Sequence, residues 1–146
     1  GVRTFEAASY LKKSGADTIE VKKLFNSDIK DFITKAEIIQ NAKVINNNIC
    51  LAYTKTETDN INIVIAQAAD ELLNIKEVEA SFVLARKDDR VFISARSLGN
   101  INVHVLMENL GGGGHRDMAG AQLDTSLEKA YEMVKDTIQT YIKEEE

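Results

Sequence analysis

The stretch Gly111 to His115 reads Gly-Gly-Gly-Gly-His and is the one place where this sequence breaks ordinary folding rules. Four consecutive glycines, half of the eight in the chain, add unfolded-state entropy that folding must overcome, whereas a single glycine is enough to stop a helix. Without Cβ atoms the backbone can curl so that successive N–H groups converge on an anion and approach a phosphate oxygen closely. His115 then stands at the rim as a further donor. The same run also serves as a plain connection between a helix and a strand, with the histidine merely exposed, and on this stretch alone both readings are open. No Lys-Ser or Lys-Thr follows, which excludes a Walker-type nucleotide loop.

A second group lies just upstream. In VFISARS, strand alternation puts Val91, Ile93 and Ala95 on one face and Phe92, Ser94 and Arg96 on the other, with Ser97 at the strand end. A guanidinium beside a hydroxyl suits a phosphate, because arginine supplies a planar fork of donors and serine one more. The alternative is a surface arginine paired with a carboxylate and a serine that ends the strand. One short helix separates the two groups. If it returns the chain over the sheet, Arg96, Ser97, Gly112, Gly113, Gly114 and His115 line one pocket. Other candidates read as structural. His104 falls in the first turn of that helix, and Asp88 and Asp89 suit a hairpin turn. Tyr53, Tyr131 and Tyr141 can stack on a base, but the last two fit an apolar helical stripe. Asn100 and Asn102 lie near enough to touch a ligand, although capping accounts for Asn102 equally well.

The elements that must position these residues follow from local pattern. Thr4 caps a helix with Phe5, Ala8 and Leu11 on one side, ended by Gly15. Ser27 begins a second, amphipathic helix carrying Ile29, Phe32, Ile33, Ala36 and Ile39. KVI and ICLAYT read as strands joined by an asparagine turn, and residues 59–74 place Ile61, Val64, Ile65, Ala68 and Leu72 on one helical face. ASFVLARKDDRVFISARS reads as an antiparallel hairpin around Asp88 and Asp89. Asn102 caps a short helix burying Val103, Leu106, Met107 and Leu110, AGAQLD is a last strand, and Thr125 with Glu128 forms a capping box for a long final helix. The fold class is therefore α/β, a mixed sheet of about five strands flanked by helices, with N-terminal connector helices.

Composition sets limits. The 146 residues suffice for one domain with a real core. Eighteen Lys and Arg against twenty-three Asp and Glu give a net charge of -5, which argues against gripping long nucleic acid by phosphate neutralisation but leaves a small anion open. Cys50, the one cysteine, reads as a small core residue and excludes an internal disulfide. Two histidines are too few for a His-rich metal centre, so a catalytic metal needs ligands from elsewhere. No apolar run reaches the length of a membrane span, and no signal or transit sequence follows Gly1.

The combined string RSLGNINVHVLMENLGGGGHRDMAG resembles the signature of the DHH-associated domain, the C-terminal half of DHH-family phosphodiesterases. There an Arg-Ser pair precedes an Asn-Val helix start and a Gly-Gly-Gly-Gly-His loop. RTFEAASYLKKSGAD resembles the connector leaving the catalytic DHH half of membrane-anchored bacterial cyclic-di-AMP phosphodiesterases, so the resemblance covers most of the chain. Met118 stands where the family commonly has alanine. The resemblance implies a division of labour. The DHH half holds two metal ions, typically manganese, and a bridging hydroxide attacks the phosphodiester. The DHH-associated half orients substrate. Residues 1–41 are then a helical connector and 42–146 the substrate-binding domain, with Arg96, Ser97, Gly112, Gly113, Gly114 and His115 holding a phosphate. The expected substrate is cyclic-di-AMP, hydrolysed to linear diadenylate. The chain by itself is expected to hold no cofactor and to be inactive, with manganese in the DHH domain, its partner in the same protein. A homodimer is open, direct membrane contact by these residues is not expected, and the location is cytoplasmic, even where the protein is membrane-anchored. Two other readings are an exonuclease for short oligoribonucleotides and an RNA-binding or dimerisation module, as in the C-terminal part of alanyl-tRNA synthetases; the acidic balance argues against RNA.

Overall fold

In the computed structural model, which describes residues 18–145, two pairs of left-handed residues fold the strands onto one another. Asn46 and Asn47 have φ of 55° and 67°, and Asp88 and Asp89 have 51° and 65°. Two consecutive positive φ angles are what a type I′ hairpin requires, and asparagine and aspartate tolerate them. The first turn joins β1 (Lys43–Ile45) to β2 (Ile49–Thr54), and the second joins β3 (Ala80–Lys87) to β4 (Arg90–Ser97), both antiparallel. β2 and β3 run parallel, so the chain between them must cross over, and α2 (Ile61–Leu72) does so.

After β4 come α3 (Val103–Glu108), β5 (Gly113–Gly114), β6 (Met118–Leu123) and α4 (Leu127–Glu145). β6 pairs with β4 and β5 lies outside it, giving the order β1-β2-β3-β4-β6-β5. The sheet has six strands because two of the glycines expected in a loop are themselves an edge strand.

Each face of the sheet carries its own apolar cluster. Leu51, Phe82, Leu84, Val91, Ile93, Ala95, Ala119 and Ala121 pack under α3 and α4, through Leu106, Met107, Ala130, Val134 and Ile138. On the opposite face Cys50, Ala52, Val83 and Ala85 meet α2 and Ile38 of α1 (Thr18–Gln40). A fully buried Phe82 contributes about 2–3 kcal/mol by transfer from water. Burial also pushes the Cys50 thiol pKa up, in keeping with its core position.

Three expectations change. α1 covers Thr18–Gln40, so Ser27, expected at a helix start, lies inside the helix; serine and aspartate lower helix propensity too little to interrupt it. Its Ile29, Phe32 and Ile33 stripe is 55%, 65% and 50% exposed, and among its described side chains the buried ones are Thr34 and Ile38 instead. The period is helical as read, but the contact with the sheet selects a different side. At α4 the cap is Ser126, whose Oγ accepts from Lys129 N at 3.1 Å, one residue after the expected Thr125. The helix expected from Thr4 lies outside the described residues.

β5 can lie against β6 only because Gly112 and Gly114 carry no side chains. A Cβ on Gly112 would collide with Gly120 O and Ala121, and one on Gly114 would stand 2.5 Å from Ala119 Cα and Met118 O. A Cβ on Gly113 meets nothing within 4 Å. Gly112→Ala and Gly114→Ala are expected to lose about 3 kcal/mol in chemical denaturation, the range of an overpacked site, while Gly113→Ala stays within about 1 kcal/mol. Equal losses at all three positions would contradict the fit described.

Candidate functional site

β4, β6 and β5 bring Arg96 and His115 onto one face. Arg96 is the cross-strand partner of Met118. Met118 in turn exchanges both backbone bonds with His115, whose N–H donates to Met118 O at 2.6 Å and whose carbonyl accepts from Met118 N at 3.3 Å. Directly paired residues share a face, so Arg96, Met118 and His115 form one row across the sheet. Two interstrand spacings put about 10 Å between the outer backbones of that row. Met118 stands 51% exposed between the two basic residues.

The Arg96 side chain is only 12% exposed and is aimed by two contacts. Its Nε donates to Asp70 Oδ1 of α2 at 3.0 Å and its Nη1 to Ala95 O at 3.0 Å. Nη2 has no partner among the described residues. Asp70 is 61% exposed, so the pair adds at most about 1 kcal/mol of stability, and its consequence is orientation. Ser97 does not join Arg96 on that face, because neighbours in a strand point to opposite sides. It is buried, and its Oγ accepts from Gly99 N at 2.9 Å.

The glycines are not curled into a nest of converging amides. Gly111 N and Gly112 N donate to Glu108 O and Met107 O, closing the end of α3. Gly113 and Gly114 pair with Gly120 and Ala119. Because the His115–Met118 pair is hydrogen-bonded, antiparallel alternation turns the Gly114 N–H outward from the sheet edge, beside His115. Residues 115–118 form a tight hairpin that three contacts fasten to the loop after β4. Arg116 Nε donates to Gly99 O at 2.7 Å, Val103 N to Arg116 O, and Ser97 N to Asp117 O. Ser97, through Gly99, therefore belongs to the fastening that holds His115. Asp70, Arg116 and Met118 have no local signal of a site role in the sequence, since their partners lie 17 to 26 residues away or across a strand.

The remaining candidates fall elsewhere. His104 Nε2 lies 2.7 Å from Glu108 Oε1, one turn along α3. Asn102 caps α3 through His104 N and Val105 N, and its own N–H donates to the Tyr141 hydroxyl. Tyr53 and Tyr131 pack edge to face at 5.5 Å, and Asp88 and Asp89 make their hairpin turn. Among the described residues no three His, Cys, Asp or Glu side chains converge, so these residues do not fit a manganese site. No helix among them is long and apolar enough to cross a membrane.

Glu79 tethers the same corner. It accepts from Asn48 Nδ2 at 2.8 Å and Asn100 Nδ2 at 2.9 Å, and these bonds, that of Asn100 first, hold its pKa below the ordinary carboxylate value. A lowered folded-state pKa stabilises the fold above the unfolded-state pKa and is lost as pH falls through the folded value. Between about pH 6 and pH 3 the native chain should lose more stability than Glu79→Gln, as read by denaturation midpoints. Parallel pH curves would remove Glu79 from the account.

The DHHA1 domain matches residues 46–144. The chain is 44% identical over 147 aligned residues to the cyclic-di-AMP phosphodiesterase GdpP of Bacillus subtilis, covering 98% of this chain and 22% of that protein. It is 40% identical to the cyclic-di-AMP phosphodiesterase PdeA of Listeria monocytogenes, covering 99% of this chain and again 22% of the relative. The chain thus spans about a fifth of the length of these relatives. In fold it is similar to an exopolyphosphatase-related protein from Bacteroides fragilis, with a TM-score of 0.67 at 22% identity over 97% of this chain and 44% of that one. With the family match covering the whole sheet beyond β1 and all of α2 to α4 but its last residue, the chain belongs to the DHHA1 domain family.

Proposed function

We propose that this chain is the substrate-positioning domain of a DHH-family phosphodiesterase that hydrolyses cyclic-di-AMP to linear diadenylate. The observation that carries the reading is the row of Arg96, Met118 and His115 on an open sheet face, at the strand ends where the glycine run lies flat. A phosphate between the two basic side chains accepts from Arg96 Nη2, from His115 and from the outward amide of Gly114. Gly112 and Gly114 keep the backbone low, Gly113 joins them, and Ser97 secures the loop that fastens the hairpin. The relatives named as cyclic-di-AMP phosphodiesterases support this substrate, and a fold neighbour described as a pGpG-specific phosphodiesterase from Vibrio, with a TM-score of 0.53, shares the architecture.

In this reading the domain binds and orients; it moves no proton. Positioning of that kind lowers a barrier by holding the reacting bond in a productive geometry. The metal-bearing DHH half, with manganese, lies in a part of the protein outside this chain, and it is the domain's partner. The location is cytoplasmic. With net charge -5, attraction to nucleotide comes from a local cluster rather than a broad basic surface.

Arg96→Ala and His115→Ala in the full-length enzyme should each lower kcat/KM for cyclic-di-AMP about 100-fold, the scale for removing one oriented donor, with metal content unchanged. Native kinetics in both variants would refute the clamp. The chain alone with manganese should show no turnover of cyclic-di-AMP or diadenylate. Calorimetric titration with cyclic-di-AMP, diadenylate and a short oligonucleotide ranks the substrates, and tightest binding of the oligonucleotide would favour an exonuclease.

A further inference from the structure

We propose that the cleft beside the Arg96–His115 row is a nucleobase subsite in which Gln122 reads the base edge, an inference that rests on the phosphate reading above. The cleft has a volume of about 530 Å³ and lies on the same sheet face. Its floor is formed by Phe92, Ser94, Gly120 and Gln122, and Asn62 and Ile65 of α2 form one wall. Registers fix its position relative to the phosphate row. Ser94, Gly120 and Gly113 are paired across the three strands one row further from the glycine-loop end, and Phe92 with Gln122 one row beyond that. Arg96 and Phe92 are four residues apart in one strand, about 13 Å at 3.3 Å per residue. Phosphate, ribose and base laid end to end fill that length.

The floor suits a planar group. Gly120 leaves a depression that no side chain can fill, because a Cβ there would stand 2.9 Å from Ile93 O. The half-buried Phe92 ring bounds the depression on the apolar side, as stacking requires. Gln122 supplies direction. Its Oε1 accepts from Arg90 Nη1 at 3.0 Å, and Arg90 is held in turn by Asp124 at 2.7 Å. With the carbonyl oxygen engaged, the amide presents its two N–H donors to the cleft. Those donors recognise acceptor atoms of a base, ring nitrogens or carbonyl oxygens, rather than an exocyclic amino group.

The test is titration of the chain with AMP and with ribose 5-phosphate, which carries the phosphate and sugar but no base, following NMR shifts of the Gln122 side-chain amide. AMP should bind about tenfold more tightly, the scale of one stacked base. The Gln122 amide should shift with AMP and not with ribose 5-phosphate. Gln122→Glu, similar in shape but without donors, should weaken AMP binding by the share the edge contacts supply while leaving ribose 5-phosphate unchanged, whereas Phe92→Ala should remove the stacking share. Equal binding of the two probes, with both lost in Arg96→Ala, would overturn the base subsite and keep the phosphate site. Binding of neither probe at millimolar concentration, or binding indifferent to Arg96→Ala, would overturn the phosphate reading and this inference with it.

Discussion

Backbone-to-backbone contact between residues 112–114 and 118–121 is the constraint on which the site depends. β5 is two residues long, and it stays at the sheet edge only because Gly112 and Gly114 have nothing to push it away from β6. Each glycine makes the unfolded chain harder to order by about 0.5–1 kcal/mol. The polar fastenings of the hairpin, Arg116 to Gly99 O among them, offset that loss with bonds of about 1 kcal/mol each. The outcome is positional. His115 arrives on the row of Arg96 although 18 residues and a helix intervene between them.

The two faces of the sheet are covered unequally, and this leaves an open cleft on one of them. α3 and α4 close one face along β3, β4 and β6. On the other, α2 reaches β3 and β4, so the even-numbered residues of β4 and β6 stay partly open. A helix rim beside an uncovered strand pair makes a cleft without special curvature. It also lets α2 supply Asp70 to Arg96 from the side. A partly exposed ion pair of this kind matters little to stability, but the carboxylate engages Nε of the guanidinium and leaves Nη2 without a partner among the described residues.

Polar side chains at this end of the sheet tie its loops to one another. Ser97 fixes Gly99, Gly99 receives Arg116, and Arg116 lies in the hairpin turn next to His115. Glu79 ties Asn48, after the β1–β2 turn, to Asn100 in the loop after β4. The corner is held by bonds between neighbouring loops where the apolar core ends.

Much of the fold was legible in local pattern. The asparagine and aspartate turns, the crossover helix, the Asn102 cap and the apolar stripe of α4 each depend on residues within a few positions of one another, and local chemistry decides them. The candidate site residues Arg96 and His115 were equally visible, through a strand end and an unusual glycine run. Tertiary structure decided the rest. That the glycines form an edge strand, that Ser97 faces away from Arg96's side, that Asp70 directs the guanidinium and that α1 turns its Ile29, Phe32 and Ile33 stripe outward all depend on register and on packing between distant segments. Periodicity specifies that a face exists; only contact across the chain determines what it meets.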